Sequence, residues 1–80
     1  MPKVVLFSTP TCSWCRRAKR YLKEQGVPFK EINVERDQQA ARDIARKTGQ
    51  TGVPVIKIGS AWIVGFDKAR MDKELARKAS

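Results

Sequence analysis

Two residues in this chain have side chains suited to redox chemistry, Cys12 and Cys15, and they are its only cysteines. They lie in Ser8-Thr9-Pro10-Thr11-Cys12-Ser13-Trp14-Cys15-Arg16-Arg17. A β-branched run precedes this stretch and a helical pattern follows it, so Cys12 falls at a strand-to-helix corner. There the unpaired amides and the positive dipole end of a helix favour a thiolate. Cys15 lies one helical turn further in, within reach of a disulfide formed on Cys12. This spacing suits thiol–disulfide exchange. A metal role fits poorly: two sulfurs half-fill a zinc site, and the chain has no histidine to complete it.

The attacking species is a thiolate, and a free cysteine titrates near ~8.5. Reaching ~7 takes about 2 kcal/mol. A helix dipole supplies only ~0.3–1 kcal/mol. Charge-assisted bonds from first-turn amides must provide the rest. Ser13 keeps an N–H and adds a hydroxyl at that turn. Cys15, deeper in the helix, is expected to be buried, with a raised pKa, and inert until a mixed disulfide forms.

The elements that hold this pair can be read from periodicity. The run Val4-Val5-Leu6-Phe7 predicts a buried strand over Lys3 to Phe7. A helix starts near Cys12 with an inner stripe of Cys15, Ala18, Tyr21 and Leu22, and Gly26 and Pro28 end it. Phe29 to Val34 is a second strand nearer the sheet edge, with Phe29 and Ile32 on opposite faces. Asp37 caps a helix whose Ala40, Ala41, Ile44, Ala45 and Thr48 share a face, and Gly49 stops it. Val53 to Ile58 is a third strand, opened by Pro54. Gly59-Ser60 makes a tight hairpin to a fourth strand, Ala61 to Val64. Asp67 caps a last helix running to about Lys78, with Phe66 and Met71 as a hydrophobic staple. Met71, Leu75 and Ala79 form its inner face. The order is β-α-β-α-β-β-α. A right-handed crossover joins the first two strands in parallel, and the closing hairpin is antiparallel. The class is α/β, a four-stranded mixed sheet covered by three helices, in one domain spanning residues 1–80.

The chain carries 17 Lys and Arg against 8 Asp and Glu, a formal charge of +9. Residues 1–30 hold seven cations and one acid. This bias invites a nucleic-acid reading. No recognition motif accompanies it, and Trp14 and Trp62 are not interleaved with the charge as a stacking platform requires. A solvated helix face, or steering of acidic partners and anionic thiols toward Cys12, accounts for the charge. No stretch approaches the ~20 apolar residues of a membrane span, and Val4–Phe7 is too short for a signal-peptide core. A cytoplasmic protein is expected. In a reducing compartment a lone cysteine pair is catalytic rather than a staple.

Three motifs in order resemble the glutaredoxins, a branch of the thioredoxin fold. They are Thr11-Cys12-Ser13-Trp14-Cys15, Gly52-Val53-Pro54 and Val64-Gly65-Phe66-Asp67. The nearest likeness is to short bacterial glutaredoxin-like proteins, with ribonucleotide-reductase redoxins close by. The resemblance implies that Cys12 is the nucleophile, Cys15 the resolving thiol, and Val53–Pro54 a cis peptide facing them. It implies substrate or glutathione contacts from Thr11, Ser13, Trp14, Val53, Pro54, Gly65, Phe66 and Asp67. It implies a monomer with no bound cofactor or metal, acting on disulfide-containing proteins. Its electron donor would be glutathione as co-substrate or a thioredoxin-reductase-type flavoenzyme. Two alternatives stand beside this: a protein bridging a [2Fe–2S] cluster between two protomers, and a redoxin serving ribonucleotide reductase. The chain also departs from the family pattern. Ser13-Trp14 replaces a common Pro-Tyr. Thr9 replaces a lysine, and Thr51-Gly52 an arginine-containing pair, that usually hold glutathione's carboxylates. Arg16 or Arg20 could compensate.

Overall fold

A computed structural model describes residues 3–49 and 52–79. The elements follow the expected order: β1 (Val4–Ser8), α1 (Ser13–Glu24), β2 (Lys30–Asn33), α2 (Gln38–Thr48), β3 (Val55–Ile58), β4 (Ala61–Val64) and α3 (Lys68–Ala79). They form one four-stranded sheet in the order β2-β1-β3-β4. β1 runs parallel to β2, with Leu6 opposite Glu31 and Ser8 opposite Asn33. β3 is antiparallel to both β1 and β4.

The pleat of β1 decides which helix covers which face, because alternate side chains point to opposite sides. Val4 and Leu6 join Ala18, Tyr21 and Leu22 of α1 and Met71 of α3 in one core cluster. Val5 and Phe7 join Ala40 and Ile44 of α2 in the other. Phe29 packs on the first cluster and Ile32 on the second. The split expected for β2 is therefore present, and β2 is an edge strand.

Each helix ends as its residues dictate. The Asp37 carboxylate accepts the Ala40 amide at 3.0 Å. Gly49 closes α2 at φ +74°, in the left-handed region glycine occupies without penalty. Gly59 at φ +61° turns the two-residue hairpin. Three strands differ from expectation at their ends. β1 is shifted by one residue, starting at Val4 rather than Lys3 and ending at Ser8, whose side chain is buried. β2 is shorter at both ends. β3 begins at Val55, so Pro54 precedes the strand rather than opening it. Ordinary proline lacks the N–H a ladder needs. Thr51 and the side chain of Ala79 lie outside what the structure describes.

Candidate functional site

Cys12 is the N-cap of α1, with extended backbone at φ −89° and ψ 113°. Its sulfur accepts the amide of Cys15 at 3.1 Å. A cap position is normally taken by an oxygen acceptor from Ser, Thr, Asp or Asn. Here the Cys12 sulfur fills it, so an otherwise unpaired helix amide points at that sulfur. The Cys12 amide donates to the Thr9 carbonyl at 3.3 Å, which fixes the corner. Cys12 is partly exposed. Cys15 is 2% exposed and packed under the helix. Burial, then a hydrogen bond to the Cys12 sulfur, pushes the Cys15 thiol up to about 12. The two sulfurs are free thiols of unlike character.

Two loops complete the site. The Val53–Pro54 bond is cis, and the Val53 carbonyl oxygen lies 3.9 Å from the Cys12 sulfur. Gly65, at φ +79°, donates its amide to the Pro54 carbonyl at 2.8 Å. The end of β4 is thereby tied to the approach to β3. Phe66 follows, packing its ring on Tyr21 at 5.8 Å and tilting against Trp14 at 6.4 Å. The Tyr21 hydroxyl donates to Asp72 of α3. Asp67 caps α3, its carboxylate accepting the Arg70 amide at 3.1 Å.

Trp14, Val53, Pro54, Gly65 and Phe66 line a shallow groove beside Cys12. Five of the ten residues singled out in the sequence thus meet in one place, next to the cysteine pair. Thr11 and Ser13 are exposed on the same corner but do not line the groove. Asp67 stands at its end, as the cap. Trp14 is 53% exposed despite its size. The Arg17 guanidinium sits 4.8 Å over its ring, and such a cation holds an exposed indole in place. Arg16 and Arg20 line a different groove, with Lys19, Lys23 and Glu24. Neither lines the groove beside Cys12.

One cluster at the site was not anticipated. Ser8 donates its hydroxyl to Glu31 at 2.9 Å, and Lys19 of α1 pairs with the same carboxylate at 2.9 Å. The hydrogen bond from Lys19 holds the Glu31 carboxyl below its ordinary range. This group lies on the α1 side of the sheet, close enough to Cys15 for its charge to raise that thiol slightly. Only the parallel register of β1 and β2 brings Ser8 and Glu31 together, and no local sequence pattern marks it.

The glutaredoxin family model matches residues 4–63. The chain belongs to the glutaredoxin family. It is 43% identical over 70 residues to a glutaredoxin-like 8.6 kDa protein of the rubredoxin operon of Clostridium pasteurianum, across 88% of this chain and 93% of that one. It is 42% identical over 67 residues to a glutaredoxin of Pseudomonas aeruginosa, across 84% and 80% of the two chains. Among solved structures it is similar to NrdH-redoxin of Escherichia coli, a glutaredoxin-like protein with a thioredoxin-like activity profile. That match has a TM-score of 0.80 and 27% identity, and covers 89% of this chain and 92% of that one. The thioredoxin fold and the family expected from the three motifs are both confirmed. No helix among the described residues is long and apolar enough to cross a membrane.

Proposed function

We propose that this glutaredoxin is a cytoplasmic, monomeric dithiol oxidoreductase that reduces disulfides through Cys12 and Cys15. The observation that carries this reading is the inequality of the two sulfurs. Cys12 is open to a partner and capped by the Cys15 amide. Cys15 is enclosed and held as a thiol.

The Cys12 thiolate attacks one sulfur of the substrate disulfide. That S–S bond breaks, a mixed disulfide forms on Cys12, and the departing thiolate takes a proton from solvent. Part of what raises the Cys15 thiol is its hydrogen bond to, and charge repulsion from, the Cys12 sulfur. The charge repulsion goes, and the hydrogen bond weakens, once Cys12 is tied up in a mixed disulfide. Cys15 then loses its proton more easily, although burial, the larger cause, still holds it up. It loses its proton to solvent and attacks the Cys12 sulfur, and the second substrate thiolate leaves. The substrate has gained two electrons, and the protein carries a Cys12–Cys15 disulfide for a thiol or flavoenzyme donor to reduce.

The groove of Trp14, Val53, Pro54, Gly65 and Phe66 would take the residue flanking the substrate sulfur. The Val53 backbone would offer strand-like pairing, with Thr11, Ser13 and Asp67 at the margins. None of the five groove residues is charged, which supports modest rather than tight use of glutathione. The likeness to NrdH-redoxin, with its thioredoxin-like activity profile, supports a thioredoxin-reductase-type donor as the second reading.

The test is a pair of variants. Cys12→Ser should abolish disulfide reduction, and Cys15→Ser should accumulate a mixed disulfide on Cys12. Alkylation near neutral pH should label Cys12 well before Cys15; the reverse order would overturn the assignment. Turnover coupled to glutathione with glutathione reductase, against turnover with thioredoxin reductase, identifies the donor.

A further inference from the structure

Helix α1 has two exposed flanks that diverge from the cysteine pair. Trp14 and Arg17, three residues apart and both exposed, form one stripe, on the side of Phe66. Arg16, Arg20 and Lys23 are four and three apart and form another, on the side toward β2. The grooves beside these stripes share no residue. One is lined by Trp14, Val53, Pro54, Gly65 and Phe66, the other by Arg16, Lys19, Arg20, Lys23 and Glu24.

The second flank is strongly cationic. The helix has no acid in its first turn, and Glu24 at its end is the only acid lining that groove. Lys19 is already engaged by Glu31. Arg16, Arg20 and Lys23 are exposed, and none is held in an ion pair among the described residues, although Lys23 adds to the field on Glu31. Three like charges spread over about 10 Å of one helix face repel one another. That arrangement opposes helix stability and contributes nothing to the core. It is complementary to a row of carboxylates.

We infer that this flank is a docking rail for an acidic segment beside the reactive cysteine of a protein partner. The inference rests on the thiol–disulfide reading above. Because the rail starts one turn after Cys12 and runs away from the apolar groove, a small disulfide seated in that groove does not reach it. A protein disulfide flanked by Asp or Glu does. The rail therefore selects among protein substrates without altering the chemistry at Cys12. At ionic strengths where the screening length is ~10 Å or more, it acts over its whole length.

The test uses the pre-reduced full chain and two disulfide-linked peptides, identical except for Glu or Gln around the cysteine. Bis(2-hydroxyethyl) disulfide serves as a neutral substrate confined to the groove. At low salt the Glu peptide should be reduced about tenfold faster than the Gln peptide, and about 0.5 M salt should erase the difference. The triple variant Arg16→Glu, Arg20→Glu, Lys23→Glu should reverse the preference, and the triple Gln variant should abolish it. Both should reduce the neutral disulfide at the wild-type rate. A Glu preference that survives in both variants overturns the rail. So does an equal slowing of all three substrates, which would place these residues in the active site itself. A wild-type chain unable to reduce even the neutral disulfide defeats the redox reading, and the rail's role with it.

Discussion

The Gly65 amide donates to the Pro54 carbonyl at 2.8 Å, and this one bond holds two walls of the groove at a fixed separation. Gly65 makes it from φ +79°. A Cβ at that position would meet nothing within 4 Å, so a substitution is penalised through the backbone alone. Gly65→Ala should cost about 1–2 kcal/mol of stability, the price of a left-handed L-residue, and should also slow disulfide reduction. Gly49→Ala is the matched comparison: Gly49 has φ +74°, equally open surroundings, and a place at the end of α2. It should lose similar stability and keep activity. Urea unfolding and turnover of both variants decide the matter. Equal turnover in the two would show that the Gly65–Pro54 bond does not shape the site.

Stability should fall as pH rises through the alkaline range. Burial raises Cys15 from 9.0 to about 12. Burial, with the hydrogen bond to Asp72, raises Tyr21 from 10.0 to about 12. In each case the folded state holds its proton more tightly than the unfolded chain. The associated stability is complete below the unfolded pKa and is lost as pH climbs toward the folded one. The losses should begin near pH 9 for Cys15 and pH 10 for Tyr21. Denaturant titrations from pH 8 to 12 should show a slope that Cys15→Ala and Tyr21→Phe each reduce. A slope unchanged in both variants would contradict the burial argument.

Much of this architecture was legible because local signals agreed with one another. Asp37, Gly49 and the Ala40/Ile44 stripe mark α2 at both ends and along its face. The inner stripe of α1 is the set that is buried: Cys15, Ala18, Tyr21 and Leu22. What escaped was long-range or borderline. Proline before a strand reads as its first residue, although β3 starts at Val55. Serine after an apolar run reads as loop, although Ser8 is paired in β1 and buried. The Ser8–Glu31–Lys19 cluster exists only through strand register and the helix above it. Arg17 over Trp14 follows from i, i+3 spacing and could have been found in the sequence.

The same cluster responds at the acid end. Lys19 and Ser8 together hold the Glu31 carboxyl below its ordinary value against the opposing effect of burial. The folded state thus favours the carboxylate. Its contribution is present above the unfolded pKa and lost as pH falls through the folded one. The ion pair is over a third exposed on both sides, so Lys19→Met should cost no more than ~1 kcal/mol. Ser8 is buried, and Ser8→Ala should cost ~0.5–1.5 kcal/mol. Glu31→Gln should flatten the acid limb of the stability profile as pH falls below the ordinary glutamate range. An acid limb identical to wild type would mean that Glu31 is not held as described.

Thr9→Lys tests the electron donor. Thr9 replaces a lysine common in the family, and the groove beside Cys12 has no cation among its five lining residues. A restored charge-assisted bond to a glutathione carboxylate is worth ~1.5–3 kcal/mol, or roughly tenfold to a hundredfold in affinity. One feature of the site limits that gain. Thr9 borders a cavity with Ser8, Pro10, Glu31 and Asn33, and a lysine there also has the Glu31 carboxylate within its surroundings. The single variant should therefore fall at the lower end of the range, and adding Glu31→Gln should raise it further. Wild-type turnover with glutathione should be measurable, should fall with ionic strength, and should increase in Thr9→Lys through KM rather than kcat. Turnover that ignores both salt and Thr9→Lys would show that glutathione is held without that contact, and would overturn the prediction that its use is modest.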